Sequence, residues 1–525
     1  MLFKRLTGAA FLAALAVGAS QRTHADDSTL SPEVRALIQR LESTERELEL
    51  LKNDLRTTKE TQKELADSQS RLTDNQAKMI EISASNFEAL EAAKAEAPKP
   101  NDLSMSASWK DGFEVATKDK AFRVHVGGRT QLDTSWYAVD DGVDATTNPK
   151  YQDGVDFRRA RLRIDGTMYE QIEWAVEYDF INSSRVRNSA GTGTADLDVT
   201  GFTDVWWTFK EVPCVGNIRI GNQKEAIGFE HVVSSRFLPF MERSYNQDTF
   251  YGGAFNGFTP GISIFDHYDD EMGTWNIGLY KPTNNVFAAN ASNGDYAVTG
   301  RLTRLLWWEN DGRELLHLGI SGRQFTTVND QIRYRTRDAI RAGISSQWPL
   351  PGDTGTLFGD QGQWINTEFV VVQDRWTFQS EYLASFLQDA GKTATTRNQD
   401  LFYHGGYVQV MYFLTDDHDS YDRKERASFG RVKPKKNFRF LRTDPCDCYD
   451  GWGAWQVGVR YNYLDLNDKG INGGELNNYT AGLNWFLNPN MKIQANYMLT
   501  EKNSNPTSAG EGMIHGWGFR FAHDF

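Results

Sequence analysis

Arg333, Arg335 and Arg337 alternate with Ile332, Tyr334 and Thr336, and Arg341 follows four residues later. If the segment is extended, side chains two apart share a face, and the first three guanidiniums stand about 6–7 Å from one another. Each guanidinium is a planar fork that donates two parallel hydrogen bonds to an oxyanion and stays charged at any relevant pH. A row of such groups offers overlapping shallow sites along which an anion can move without being trapped. Against lipid, the row would cost about 2–4 kcal/mol per arginine near the midplane, so it belongs in a lumen or beyond the membrane. The plainer alternative is a solvated strand that carries arginines.

A second basic cluster is Arg158-Arg159-Ala160-Arg161-Leu162-Arg163. Strict alternation puts Arg159, Arg161 and Arg163 on one face and Arg158 on the other, unless a bulge intervenes. Little else suggests chemistry. There is no phosphate loop, no nucleophile elbow and no histidine pair at metal-ligand spacing, so no catalytic centre, metal or cofactor is expected. Cys446 and Cys448 sit two apart in a polar loop and Cys214 in a turn; a disulfide is favoured over a metal site, with the pairing open.

These residues need a scaffold, and the composition narrows it. Of 525 residues 24% are charged and 13% aromatic, which excludes a polytopic helical membrane protein and suits a barrel with an apolar outside and a polar lumen. Lys4 and Arg5, the apolar run Phe11 to Val17 and Thr23-His24-Ala25 read as a signal peptide over residues 1–25, for export. Without it the formal charge is −16, from 54 basic and 70 acidic groups, which argues against nucleic acid as a partner. Residues 31–92 place Val34, Leu37, Leu41, Leu48, Leu51, Leu55, Leu65, Leu72 and Met79 on one heptad register, with Gln62, Gln69 and Gln76 also at core positions. This predicts an α-helical coiled coil in the periplasm, and polar core layers favour a defined oligomer. Residues 93–120, with Pro98 and Pro100, are expected to be a linker.

From residue 121 to 525 the period becomes 2. Seventeen windows alternate, among them Trp174 to Phe180, Val205 to Phe209, Ile218 to Gln223, Gln331 to Ile344 and Trp455 to Tyr461. The last window puts Trp517, Phe519, Phe521, His523 and Phe525 on one face and ends the chain on phenylalanine. The expected fold is all-β: an antiparallel transmembrane β-barrel of about 16 strands, since single-chain bacterial barrels have even strand numbers. Glu225 to Tyr251 is too long for a hairpin turn and is expected to fold into the lumen.

Several runs carry a family resemblance: Phe157 to Leu162 (FRRARL), Ser234 to Ser244 (SSRFLPFMERS), Phe429 to Pro434 (FGRVKP), Gly453 to Asp468 (GAWQVGVRYNYLDLND) and Thr480 to Lys492 (TAGLNWFLNPNMK). Together they resemble the phosphate-selective porin O and P family over nearly all of residues 121–525. The resemblance implies a 16-stranded outer-membrane porin, a homotrimer in outer-membrane lipid, with an anion-selective pore entered along a basic ladder matched by Arg333, Arg335, Arg337 and Arg341. It also implies that Arg158 and Arg159 lie at the constriction, that Arg129 and Lys224 line the pore, and that Asp204 is its acidic position. The expected function is passive passage of small inorganic anions, phosphate or polyphosphate first. A general or sugar porin and a tether holding peptidoglycan through the coiled coil are the alternatives.

Overall fold

The computed structural model describes residues 32–95, 104–187, 196–251, 257–283, 287–291, 294–343, 347–438, 451–503 and 510–525, in two compact units, 1–102 and 103–525. The expected signal peptide, and Cys446 and Cys448, lie outside the described residues. In the first unit Pro32–Ala95 is a single helix of 64 residues, α1. Pro32 can open it because a first-turn residue needs no intrahelical N–H bond, and Glu33 complements the positive end of the dipole. Leu37, Leu51, Leu55 and Met79 of the heptad seam are exposed on this helix.

In the second unit sixteen strands follow in order: β1 (Phe122–Val139), β2 (Gly154–Met168), β3 (Ile172–Arg187), β4 (Asp196–Val212), β5 (Gly216–Lys224), β6 (Phe258–Tyr268), β7 (Gly273–Tyr280) and β8 (Ala297–Glu309). The second half is β9 (Glu314–Thr326), β10 (Gln361–Gln373), β11 (Trp376–Ala390), β12 (Gln399–Phe413), β13 (Ala454–Asp468), β14 (Ile471–Asn488), β15 (Met491–Asn503) and β16 (Gly512–Asp524). Each pairs antiparallel with its neighbours, and β16 returns to β1 through Trp517↔Trp136 and Phe521↔Leu132, which closes the barrel and leaves no edge in lipid. Within the segment expected to be linker, Met105–Trp109 and Phe113–Thr117 form a hairpin that extends the start of β1.

The alternation that identified the strands also sorts their side chains. On β1, Leu132 and Trp136 face outward while Gln131, Asp133 and Ser135 are buried in the lumen; on β16, Trp517, Phe519 and Phe521 are exposed and Arg520 is fully buried. The chain end is fixed by a reciprocal pair, Gly128 N–H to the Phe525 carbonyl at 2.7 Å and Phe525 N–H to the Gly128 carbonyl at 3.1 Å. A Cβ on Gly127 would stand 2.6 Å from the Phe525 carbonyl oxygen, so only glycine admits this approach.

One of the seventeen windows is not a barrel strand. Gln331 to Ile344 lies in the long connection between β9 and β10, and among its described residues only Gln331–Ile332 and Arg335–Thr336 are short strands, paired with Leu357–Phe358 and Gly352–Asp353 of the same connection. The physical reason is on its other face: with the arginines turned inward, Thr336 and Asp338 would meet lipid, and a buried carboxylate there has no partner. The short windows at Val205 and Ile218 are full strands of 17 and 9 residues, the first of them obscured by bulges against β3.

At the end of the barrel that carries both termini of this unit the turns are short, as in 169–171, 213–215 and 489–490, which marks the periplasmic side. The connection 414–453 is the exception there. Its described part, 414–438, folds back into the barrel, where Tyr421 and Phe429 pack against Phe229 of the 225–257 connection. The 225–257 and 327–360 connections enter from the opposite end and meet each other through Phe250 and Tyr334, with ring centroids 5.1 Å apart. Three inward segments therefore narrow one lumen.

Candidate anion path

The narrowest zone is built around a bulge. Across β1 and β2, Gln131 faces Arg159 but Leu132 faces Phe157, leaving Arg158 as an extra residue. The bulge turns both adjacent arginines inward, and Arg158 and Arg159 are 2% and 3% exposed. Strict alternation had set Arg158 on the lipid face; the bulge corrects that.

Both meet Glu242, which the 225–257 connection carries to the centre of the lumen. Arg158 donates to its two carboxylate oxygens at 2.8 and 3.1 Å. Arg341 donates at 3.0 Å and Arg520 at 2.9 Å, and Arg159 stands at 3.5 Å. Burial opposes the charge on Glu242, but the four guanidiniums together hold its carboxyl well below the usual range. Asp248, six residues on, accepts from the Arg337 backbone N–H at 2.7 Å, Arg337 Nε at 2.9 Å and Arg341 at 3.1 Å.

The four arginines expected to form a regular row thus share one connection but not one strand ladder. Arg333 is paired with Asp353, and Arg335 lies opposite Asp353 in a two-residue ladder. Arg337 and Arg341 turn to the two carboxylates of the neighbouring connection.

On the periplasmic side of this hub lies a cavity of about 100 Å³, lined by eight cationic side chains (Arg129, Arg159, Arg161, Arg219, Lys224, Arg243, Arg301 and Arg426) and three acids (Glu177, Asp204 and Glu425). Arg129 donates to Glu177 at 2.6 Å and to the Ser235 hydroxyl at 2.7 Å. Asp204 accepts from Arg163 at 2.9 Å and from the Trp206 indole at 3.1 Å. Lys224 and Arg243 are different. Lys224 donates to the carbonyls of His231 and Val233 at 2.6 and 3.1 Å, and Arg243 to those of Glu230 and Val233 at 2.9 and 2.6 Å. Among the described residues no carboxylate forms an ion pair with either, so backbone carbonyls meet their hydrogen bonds. Burial lowers Arg243 to about 10, which leaves it protonated at neutral pH.

The walls hold the inward segments in place. Glu381 on β11 accepts the backbone N–H groups of Phe229 and Glu230 at 2.9 and 2.7 Å. Arg301 on β8 pairs with Glu368 at 2.7 Å and donates to the Ala427 carbonyl at 3.1 Å. Of the residues singled out from the sequence, Arg129, Arg159, Lys224 and Asp204 line the cavity and Arg158 meets Glu242. Arg520, Arg301 and Glu381 were passed over, although Arg520 announces itself by alternating with Phe519 and Phe521.

A closed barrel with an apolar exterior and a lumen crowded with paired and unpaired cations is a membrane channel. The chain belongs to the phosphate-selective porin O and P family, whose model matches residues 124–522. It is 24% identical to Porin O of Pseudomonas aeruginosa over 77% of this chain and 90% of that protein. It is 25% identical to a protein of Caulobacter vibrioides over 81% of this chain and 78% of that one. Among solved structures, the anion-selective porin from Comamonas acidovorans aligns with a TM-score of 0.42 and 10% identity, over 77% of this chain and 100% of that chain. The protein is an outer-membrane porin.

Proposed function

We propose that the barrel passes small inorganic anions down their gradient, with phosphate preferred. The route runs from Arg333, Arg335, Arg337 and Arg341, past the Arg158–Arg159 constriction, into the cavity of Lys224 and Arg243. The observation that carries this reading is the pair Lys224 and Arg243, which line that cavity and are held by backbone carbonyls, with no carboxylate ion-paired to either among the described residues. A dianion gains there from charge-assisted hydrogen bonds in a site partly shielded from water. A sugar porin would use an aromatic slide in place of these cations, and a tether would need none of them. The heptad seam of α1, exposed on a single chain, supports a homotrimer joined by a coiled coil; cross-linking of the full chain in detergent should then stop at three protomers, and a limit at one would remove the proposal.

The test is competition. With chloride carrying current through the purified porin in a planar bilayer, millimolar or lower phosphate should block it. Replacing Lys224 and Arg243 together by glutamine should raise the blocking concentration about tenfold or more, because each charged hydrogen bond contributes about 1.5–3 kcal/mol. Wild-type current indifferent to phosphate would leave a general porin.

A further inference from the structure

Trp348, in the 327–360 connection, is 1% exposed and takes no part in the path described above. Its indole N–H donates to the Gly343 carbonyl at 2.7 Å, which fixes the ring. The guanidinium carbons of Arg158, Arg337 and Arg341 lie 4.7, 4.9 and 5.3 Å from its ring centre. One comes from β2 and two from the inward connection, so the ring is where wall and connection meet. All three cations therefore sit within about 10 Å of one another, close to the screening distance in physiological salt, and repel.

Glu242 and Asp248 offset that repulsion by cancelling charge, which works against anion passage. An aromatic ring acts differently. Its face attracts a cation through a quadrupole and brings no formal charge. Two further atoms point the same way. Arg158 Nη1 and Arg341 Nε are buried and find no hydrogen-bond partner among the described residues. A neighbouring π face is a surrounding in which an N–H without an acceptor is tolerated.

We infer that Trp348 is a positioning residue of the constriction: its ring gathers Arg158, Arg337 and Arg341 without adding a negative charge to those of Glu242 and Asp248. The inference rests on the anion-channel reading above. Without the ring, Arg158 and Arg341 stay joined through Glu242, but Arg337, paired with Asp248, turns away from Arg158 and the constriction loses part of its hold on phosphate.

The test compares Trp348→Leu, Trp348→Phe and a channel in which a trifluorinated tryptophan, placed at position 348 by nonsense suppression, keeps the shape but weakens the quadrupole. Phosphate block of chloride current is measured for each, after unheated gel electrophoresis shows a folded barrel. The leucine and fluorinated channels should need about tenfold more phosphate for half block, and the phenylalanine channel less than about threefold more. If leucine fails to fold, the fluorinated channel decides alone. Fluorinated and wild-type channels blocking alike, with wild type sensitive to phosphate, would overturn the role of the ring and leave the anion reading standing. A wild-type channel that phosphate does not block would take down both.

Discussion

Replacing Glu242 by glutamine is expected to destabilise the folded porin by roughly 3–5 kcal/mol, because it leaves buried guanidiniums short of their shared counter-charge. Arg158, Arg159, Arg341 and Arg520 all converge on this carboxylate, and among the described residues only Arg520 and Arg341 keep another acid, Asp133 and Asp248 respectively. The connection should not leave the lumen, since Glu230 still pairs with Arg460 and Glu381 still accepts the Phe229 and Glu230 N–H groups. The charge effect then decides the channel's behaviour: one negative charge is gone from among four cations. The variant should melt at a lower temperature in heat-modifiability gels and should show a higher chloride-to-potassium permeability ratio. Unchanged melting and unchanged permeability would mean that Glu242 is not the hub of the constriction.

The second large effect is charge reversal in the cavity. Lys224→Glu with Arg243→Glu exchanges two cations for two anions, both on groups held by backbone carbonyls and not by acids. At an effective dielectric near 20, unit charges about 8 Å apart interact by roughly 2 kcal/mol, so an anion in the cavity loses several kcal/mol. Selectivity should pass from anions to cations, read as a change in sign of the reversal potential. The glutamine pair used for phosphate competition removes the two charges without adding repulsion against the carbonyls, and it should fall between the two. A reversed-charge channel that remained anion-selective would show that the selecting charges lie elsewhere in the lumen.

The barrel was largely legible because a membrane imposes period 2 on every strand and nothing else can cross as sheet. Trp517, Phe519 and Phe521 outside and Arg520 inside follow from that rule alone. It failed where the chain is extended but not in the wall. The arginines at 333, 335 and 337 alternate with uncharged residues as a barrel strand would, and only Thr336 and Asp338 on the opposite face betray a segment that never touches lipid. It failed again at Arg158, where a single bulged residue against Gln131 and Leu132 reverses the face, a feature no local pattern encodes. The inward fold of 225–257 could be expected from its length. Its partners could not, because Glu242 meets arginines from β2, β16 and the 327–360 connection, far apart in sequence and joined only by closure of the barrel. Lys224 and Arg243 stand apart from the other cations for a similar reason: residue type shows a charge, but only the three-dimensional arrangement shows that carbonyls and not carboxylates hold it.

Anion selection by the lumen can be read from the reversal potential of the purified wild-type porin in a planar bilayer under a KCl gradient. The potential should take the sign set by chloride and collapse toward zero as phosphate is added and chloride current is blocked. A potential of the sign set by potassium would overturn anion selection, whatever the density of arginines along the path.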